Sequence, residues 1–247
     1  MILHQHSKSD WPRGSGRVRL GIVPDLFVFD LDGTLFDSHE QIIRAANATR
    51  AANLLPLIDE RDAVGLVGLL ADKLFPQDFG GASVALDSLV SEFRLRLTDE
   101  VHVRNQLFEG AESFVKLIKS NGAFVGVATS KPTWLARIVV ANSPLFRCVD
   151  WIQGTDNFPP KPNPEVILRC VRALDPAQNT YMVGDHVVDM LAAKAAGITG
   201  LGISQGSHSS EALLSNGAKY VGRNFSELSE TLLVNNVIKY KENYQID

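Results

Sequence analysis

The sequence is poor in cysteine and has no long apolar run, and each absence excludes a class of protein. Its 247 residues include two cysteines, Cys148 and Cys170, and no histidine cluster accompanies either one. This spacing argues against a disulfide framework or a structural zinc site, and it predicts free thiols in a cytoplasmic protein. No apolar run reaches the roughly 18 residues that a membrane-spanning helix needs, so we expect no membrane partner.

An excess of positive charge is also missing. The chain has 24 lysines and arginines against 28 acidic residues, which gives a net charge of −4. Because nucleic-acid binding relies on clustered basic side chains, we expect no nucleic-acid partner. The first 20 residues differ, since they carry four basic side chains and one acid. We assign residues 1–22 to a tail, which is either a frayed terminus or a targeting segment.

The remaining composition is that of a globular protein, with 45% hydrophobic and 21% charged residues. Short, fully apolar segments end in polar or glycine-containing loops, and segments with helical periodicity separate them. This alternation predicts an α/β fold with a Rossmann-like parallel sheet flanked by helices on both faces. The predicted strands are 25–30, 123–128, 180–183, 199–204 and 219–221.

Residues 39–107 interrupt this alternation. Their apolar residues follow helical periodicity and show no strand pattern, so we expect a small helical domain inserted after the first strand. The predicted core domain therefore consists of residues 23–38 and 108–247. In parallel sheets, ligands bind beyond the carboxyl ends of the strands, so the loops at those ends are the place to seek chemistry.

Polar residues follow several of the predicted strands. Asp30 and Asp32 are two apart in an extended segment, so their carboxylates point to one side and would repel each other without a cation. Mg²⁺ suits such oxygen ligands and pairs with substrate phosphate. Each of these features is common alone, and their joint occurrence is what indicates a site. The other candidates are Gly33, Thr34, Thr129, Ser130, Lys161, Asp185 and Asp189.

These residues carry a resemblance to a known family. Residues 30–38 (DLDGTLFDS) resemble the first motif of the haloacid dehalogenase superfamily, and residues 129–132 (TSKP) resemble its second. Residues 161–164 (KPNP) resemble the third motif and residues 184–189 (GDHVVD) the fourth. The helical insert after the first motif is similar to the cap of the phosphoglycolate phosphatase-like branch.

The resemblance implies a Mg²⁺-dependent phosphatase that hydrolyses a small-molecule phosphate monoester through an aspartyl-phosphate. Asp30 would be the nucleophile and Asp32 the general acid and base. Asp30, Asp32 (through its carbonyl) and Asp185 would hold the metal ion. Three further residues, Thr129, Ser130 and Lys161, would bind the phosphoryl oxygens. Supporting roles fall to Asp189, which would orient Lys161 or a metal-bound water, and to Gly33 and Thr34.

Alternatives remain open at this point. Asp32 argues against carbon–halogen chemistry, because true dehalogenases of the superfamily lack this carboxylate. A sugar phosphomutase would use the same catalytic residues, and a non-catalytic relative would bind a metal or a partner without turnover. Ser130 and His186 depart from the residues common in relatives, which affects substrate detail. We expect residues 59–74, with Arg61 and Lys73, to help choose the substrate, and we expect a monomer or homodimer.

Overall fold

The computed structural model describes residues 24–59, 71–75, 86–103, 105–175 and 179–239. The predicted tail, residues 1–22, and most of the predicted specificity segment, including Arg61, lie outside the described residues. Lys73 is described and lies in a short 3₁₀ helix, Ala71–Leu74, with its side chain exposed.

A six-stranded parallel sheet forms the centre of the described structure. Its order is β3-β2-β1-β4-β5-β6, so the direction of winding reverses at β1. β1 pairs on one side with β2 and on the other with β4. The strands are β1 (Leu26–Phe29), β2 (Phe124–Thr129), β3 (Trp151–Gly154), β4 (Thr180–Gly184), β5 (Thr199–Ile203) and β6 (Ala218–Gly222).

Helices connect these strands and cover both faces of the sheet. A second 3₁₀ helix spans Pro144–Arg147. No helix in the described parts of the chain has the length and apolarity to cross a membrane. The α-helices are α1 (His39–Ala52), α2 (Leu86–Val103), α3 (Ala111–Ser120), α4 (Thr133–Ala141), α5 (Glu165–Leu174), α6 (Val187–Ala195), α7 (Ser210–Ser215) and α8 (Phe225–Val234).

The two faces of β1 explain why this strand is apolar throughout. Phe27 and Phe29 join a cluster with residues of α3 and α8, including Phe114, on one face of the sheet. Leu26 and Val28 join a second cluster with residues of α5 and α6 on the other face. Successive side chains of a strand point to opposite faces, so a strand that is buried on both faces has no polar position. The predicted α/β fold with a Rossmann-like sheet is confirmed.

Local contacts explain the positions of three elements, and the sequence prediction missed the first of them. The sequence prediction missed β3, because this strand has only four residues and one of them is the polar Gln153. The Gln153 side chain is buried, and its amide donates a hydrogen bond to the Gly154 carbonyl at 2.9 Å. α5 begins at Glu165, whose N–H donates to the Asn163 side chain at 2.9 Å. α6 begins at Val187, because the His186 side chain caps it.

The described parts of the insert contain the helices α1 and α2 and the 3₁₀ helix Ala71–Leu74. Apolar residues of α1 and α2 pack against each other in a cluster of their own, and Leu135 of α4 joins that cluster from the sheet side. The segment that enters the insert lies beside the segment that leaves it, because Phe36 and Leu107 form an antiparallel bridge. The helical insert is therefore anchored beside the loop that follows β1. The domain boundaries at residues 39 and 107 stay a prediction.

Candidate active site

The polar residues chosen from the sequence lie at one edge of the sheet. Asp30 directly follows β1, Thr129 is the last residue of β2, and Asp185 directly follows β4. β1 lies between the other two strands, so their carboxyl ends are adjacent. This edge is also where the winding reverses, which leaves a crevice between the connecting loops.

Lys161 joins two carboxylates in the most buried part of this edge. Its Nζ donates to Asp30 Oδ1 and to Asp189 Oδ1, each at 2.6 Å, and to the Ala128 carbonyl at 3.2 Å. The side chains of Lys161, Asp30 and Asp189 are 1%, 4% and 0% exposed. The three hydrogens of the ammonium group are thereby matched to three acceptors, which holds Lys161 in one position.

Burial governs the protonation of these carboxyl groups. It raises the pKa of Asp30 to about 7, against the opposing effect of the Lys161 charge. Burial also raises the pKa of Asp185 and that of Asp189 above the ordinary value. A nearby cation stabilises the charged form of such buried carboxyl groups, because charge is costly to bury without a partner.

Asp185 is held by hydrogen bonds to both of its oxygens. Thr34 Oγ1 donates to Oδ1 at 2.7 Å, and the Ser207 N–H donates to Oδ2 at 2.8 Å. Gly33 lies against the same carboxylate with φ +80°, and a Cβ there would come within 2.5 Å of Asp185 Oδ2. A Cβ on Gly206 would also collide with this carboxylate. Gly33 and Thr34, both predicted as supporting residues, therefore lie beside the Asp185 carboxylate.

Three carboxylates in this region are arranged as a metal site requires. Asp30, Asp185 and Asp189 each offer an oxygen, and these oxygens lie within 4.8 Å of one another. With Asp32 included, the site contains four buried carboxyl groups and the two buried ammonium groups of Lys161 and Lys131. When all four carboxyl groups are ionised, they exceed the ammonium groups by two negative charges. This excess fits a divalent cation, and Mg²⁺ prefers oxygen ligands of this kind.

Asp32 faces a different set of partners. Its carboxylate lies outside the group of three and receives hydrogen bonds on both oxygens. Ser38 Oγ donates to Oδ1 at 2.5 Å, and Lys131 Nζ forms an ion pair with Oδ2. Sequence reasoning missed the contact of Lys131. Lys131 belongs to the second motif, but the sequence does not indicate the direction in which its side chain points.

The remaining predicted residues lie beside this edge. Thr129 is 1% exposed, and its hydroxyl accepts a hydrogen bond from the Lys131 N–H at 3.2 Å. Ser130 is half-buried next to it. His186 is half-buried and caps α6 through its ring, and burial lowers its pKa to about 4, so the ring is neutral at pH 7. The structure therefore brings all the predicted site residues to one edge of the sheet.

Comparisons with known proteins agree with this arrangement. A family model described as haloacid dehalogenase-like hydrolase matches residues 27–203. A probable phosphatase from Dickeya dadantii is 30% identical over 211 residues, which cover 82% of this chain and 91% of that protein. A phosphoglycolate phosphatase from Xylella fastidiosa is 32% identical over 190 residues, which cover 71% of this chain and 78% of that protein.

Solved structures show the same fold. A haloacid dehalogenase-like family hydrolase from Streptococcus pneumoniae superposes with a TM-score of 0.75 at 24% identity, covering 85% of this chain and 98% of that one. CbbY from Rhodobacter sphaeroides, solved in complex with phosphate, gives a TM-score of 0.72 at 22% identity, covering 84% and 96%. From the family model and the identity to curated phosphatases, this chain belongs to the haloacid dehalogenase-like hydrolases, among the phosphatases of that family.

Proposed function

We propose that this phosphatase hydrolyses a small-molecule phosphate monoester, depends on Mg²⁺, and forms an aspartyl-phosphate on Asp30. The observation that carries the proposal is the position of Asp30. It is the first residue after the central strand, its Oδ1 accepts a hydrogen bond from Lys161 Nζ at 2.6 Å, and one of its oxygens lies within 4.8 Å of carboxylate oxygens of Asp185 and Asp189. A nucleophile in this position attacks a dianionic phosphoryl group with positive charge beside it, which reduces the repulsion between the two.

In the first step, an Asp30 carboxylate oxygen forms a bond to phosphorus while the bond from phosphorus to the ester oxygen breaks. Lys161 occupies Oδ1 of Asp30, and Oδ2 accepts none of the hydrogen bonds recorded among the described residues. The ester oxygen leaves as an alcohol, because Asp32 donates a proton to it. The product of this step is an aspartyl-phosphate and the released alcohol.

In the second step, water attacks the phosphorus of the aspartyl-phosphate. Asp32, now ionised, accepts the proton of that water, and the bond between Asp30 and phosphorus breaks to give inorganic phosphate. Thr129 and Ser130, at the end of β2, are proposed to hold phosphoryl oxygens together with Lys161. Asp189 positions Lys161, since the two are paired at 2.6 Å.

Asp30 and Asp185 are the proposed metal ligands, with the Asp32 carbonyl as a further one, and Asp189 completes the acidic group. When bound there, Mg²⁺ would offset the negative charge shared by the nucleophile and the phosphoryl group. The relatives named phosphoglycolate phosphatase support a small phosphorylated acid as one candidate substrate for this chain. A cytoplasmic location and a monomeric or homodimeric state stay predictions; both cysteines are free thiols in the structure.

The test is phosphate release from a panel of small monoesters, including 2-phosphoglycolate, hexose phosphates and an aryl phosphate. Each is measured with Mg²⁺ and with a chelator, and the folded state is checked by circular dichroism. We expect release that needs Mg²⁺ and that is restored when Mg²⁺ is added back after chelation. A folded protein that releases no phosphate from any member would contradict the proposal and favour a phosphomutase or a non-catalytic relative.

A further inference from the structure

The two buried lysines of the active site differ in how many of their hydrogens are used. Lys161 donates to three acceptors. Lys131 Nζ has one recorded acceptor among the described residues, Asp32 Oδ2, although its side chain is only 9% exposed. An ammonium group has three hydrogens to donate, so Lys131 has two donors to offer to a further acceptor. A nearly buried cation with unused donors is suited to bind an anion that arrives with the substrate.

The backbone holds Lys131 in this place. The Thr155 N–H donates to the Lys131 carbonyl at 2.9 Å, which attaches the loop after β2 to the end of β3. Gly154 allows this approach, because a Cβ there would collide with the backbone of residues 131–133. Lys131 therefore turns toward Asp32 from a fixed loop, and no rearrangement of the backbone is needed to place its ammonium group in the site.

The position of Lys131 relative to Asp32 places it on the leaving-group side. In the proposed mechanism, Asp32 gives its proton to the ester oxygen, so that oxygen lies about 3 Å from an Asp32 carboxylate oxygen. Lys131 contacts the same carboxylate. Lys161 is instead bonded to the nucleophile, Asp30. The first atoms of the alcohol therefore lie nearer to Lys131, and the transferred phosphoryl group lies nearer to Lys161.

We propose that Lys131 is a specificity-determining residue that binds an anionic group on the leaving alcohol. The substrates selected in this way are phosphate monoesters that carry a second negative charge, such as a carboxylate, within one or two carbon atoms of the ester oxygen. A carboxylate at that position meets the free donors of Lys131, whereas a neutral hydroxyl group forms only a weaker, uncharged hydrogen bond. This inference rests on the proposed phosphatase mechanism and names its substrate class.

The test compares two esters of the same length, 2-phosphoglycolate and 2-hydroxyethyl phosphate, which differ in carrying a carboxylate or a hydroxyl group. The measured quantity is the ratio of their kcat/KM values with Mg²⁺ present. We expect wild type to prefer 2-phosphoglycolate and Lys131→Gln to lower that preference about 10- to 100-fold, the effect of losing one hydrogen bond to a charged group. Lys131→Arg, which keeps a cation, should retain the preference for the acid.

Lys194→Gln is the matched control, because Lys194 is an exposed lysine on α6, and its ratio should equal that of wild type. If Lys131 only neutralises Asp32, then Lys131→Gln will slow both esters equally and the ratio will not move; that result overturns the inference while the phosphatase mechanism stands. A wild-type preference for the neutral ester overturns it without any variant. Failure of wild type to hydrolyse any monoester would overturn the mechanism itself.

Discussion

The Asp30 side and the Asp32 side of the active site differ in how many hydrogens of their buried lysine are used. On the Asp30 side, Lys161 meets three acceptors, and both oxygens of Asp185 receive hydrogen bonds. On the Asp32 side, Lys131 has one recorded partner within the described structure, and the other contact, from Ser38, comes from the residue before α1. The paired side suits the phosphoryl group, which is the same in every substrate, and the less paired side suits an alcohol that varies.

The sharpest way to test the Asp30 side is to remove the nucleophile. Asp30→Asn keeps the size of the side chain but removes the charge that attacks phosphorus, so we expect turnover to fall at least about 1,000-fold. The measurement is phosphate release at saturating aryl phosphate, with circular dichroism to show that the variant folds. Asp87→Asn, an acid in the first turn of α2, is the control and should keep wild-type rates. Near-normal turnover by Asp30→Asn would rule out the covalent mechanism.

Breaking the three-way pairing of Lys161 should affect stability as well as activity. Lys161→Met leaves Asp30 and Asp189 buried without their shared cation, and removing one partner of a buried ion pair costs about 3–5 kcal/mol. We expect a fall of this size in the free energy of unfolding, measured by urea denaturation without metal ion. Lys194→Met, which removes an exposed lysine, should change the free energy of unfolding by less than about 0.5 kcal/mol. Equal effects of the two variants would contradict the pairing.

Disturbing Asp185 tests the metal site without removing a ligand. A Cβ at Gly206 would collide with the Asp185 carboxylate and with the Gly33 carbonyl, so Gly206→Ala should displace Asp185. We expect Mg²⁺ affinity to fall about 10- to 100-fold, as is typical when a residue that supports a ligand is changed. Calorimetric titration with Mg²⁺ measures this directly.

Gly126→Ala provides the control for that titration, because a Cβ on Gly126 would make an ordinary contact of 3.5 Å with Cys170. Its Mg²⁺ affinity should match that of wild type. Unchanged affinity in Gly206→Ala would mean that Asp185 does not help to hold the metal ion.

The smallest expected effect is on the Asp32 side. Ser38→Ala removes one of the two hydrogen bonds that fix the Asp32 carboxylate, while the ion pair with Lys131 remains. We expect kcat to fall about tenfold, the effect of one hydrogen bond to a charged group. Ser91→Ala, an exposed serine of α2, should leave kcat unchanged. A fall in kcat as large as that expected for Asp30→Asn would contradict this ranking of the two sides.

The same comparison explains what the sequence predicted and what it missed. Asp30, Thr129 and Asp185 lie at the carboxyl ends of three strands whose apolar runs the sequence shows, and these strands are adjacent in the sheet. Lys161 was predicted from its motif, in which prolines lie close to it in the sequence. The ion pair between Lys131 and Asp32 depends on the rotamer of a long side chain and on the approach of β3, which the sequence does not indicate.

Only some of the contacts that hold the Asp185 carboxylate could be predicted from the sequence. Thr34 and Gly33 belong to the first motif and were predicted as supporting residues. Ser207 contributes a backbone N–H from a loop after β5, and any residue with an N–H could supply it. The signal there is Gly206, which marks a place where the backbone approaches another group closely. A glycine after a strand is too common to identify such a contact alone.

The most direct test of the account is to find where phosphate is attached during turnover. Wild-type enzyme is mixed with a radiolabelled phosphate monoester and Mg²⁺, quenched in acid within the first turnover, and digested for peptide mapping. The account predicts label on the peptide that contains Asp30 and none in the Asp30→Asn variant. An enzyme that releases phosphate steadily while no peptide carries label, or while the label lies on another residue, would contradict the role of Asp30 as nucleophile.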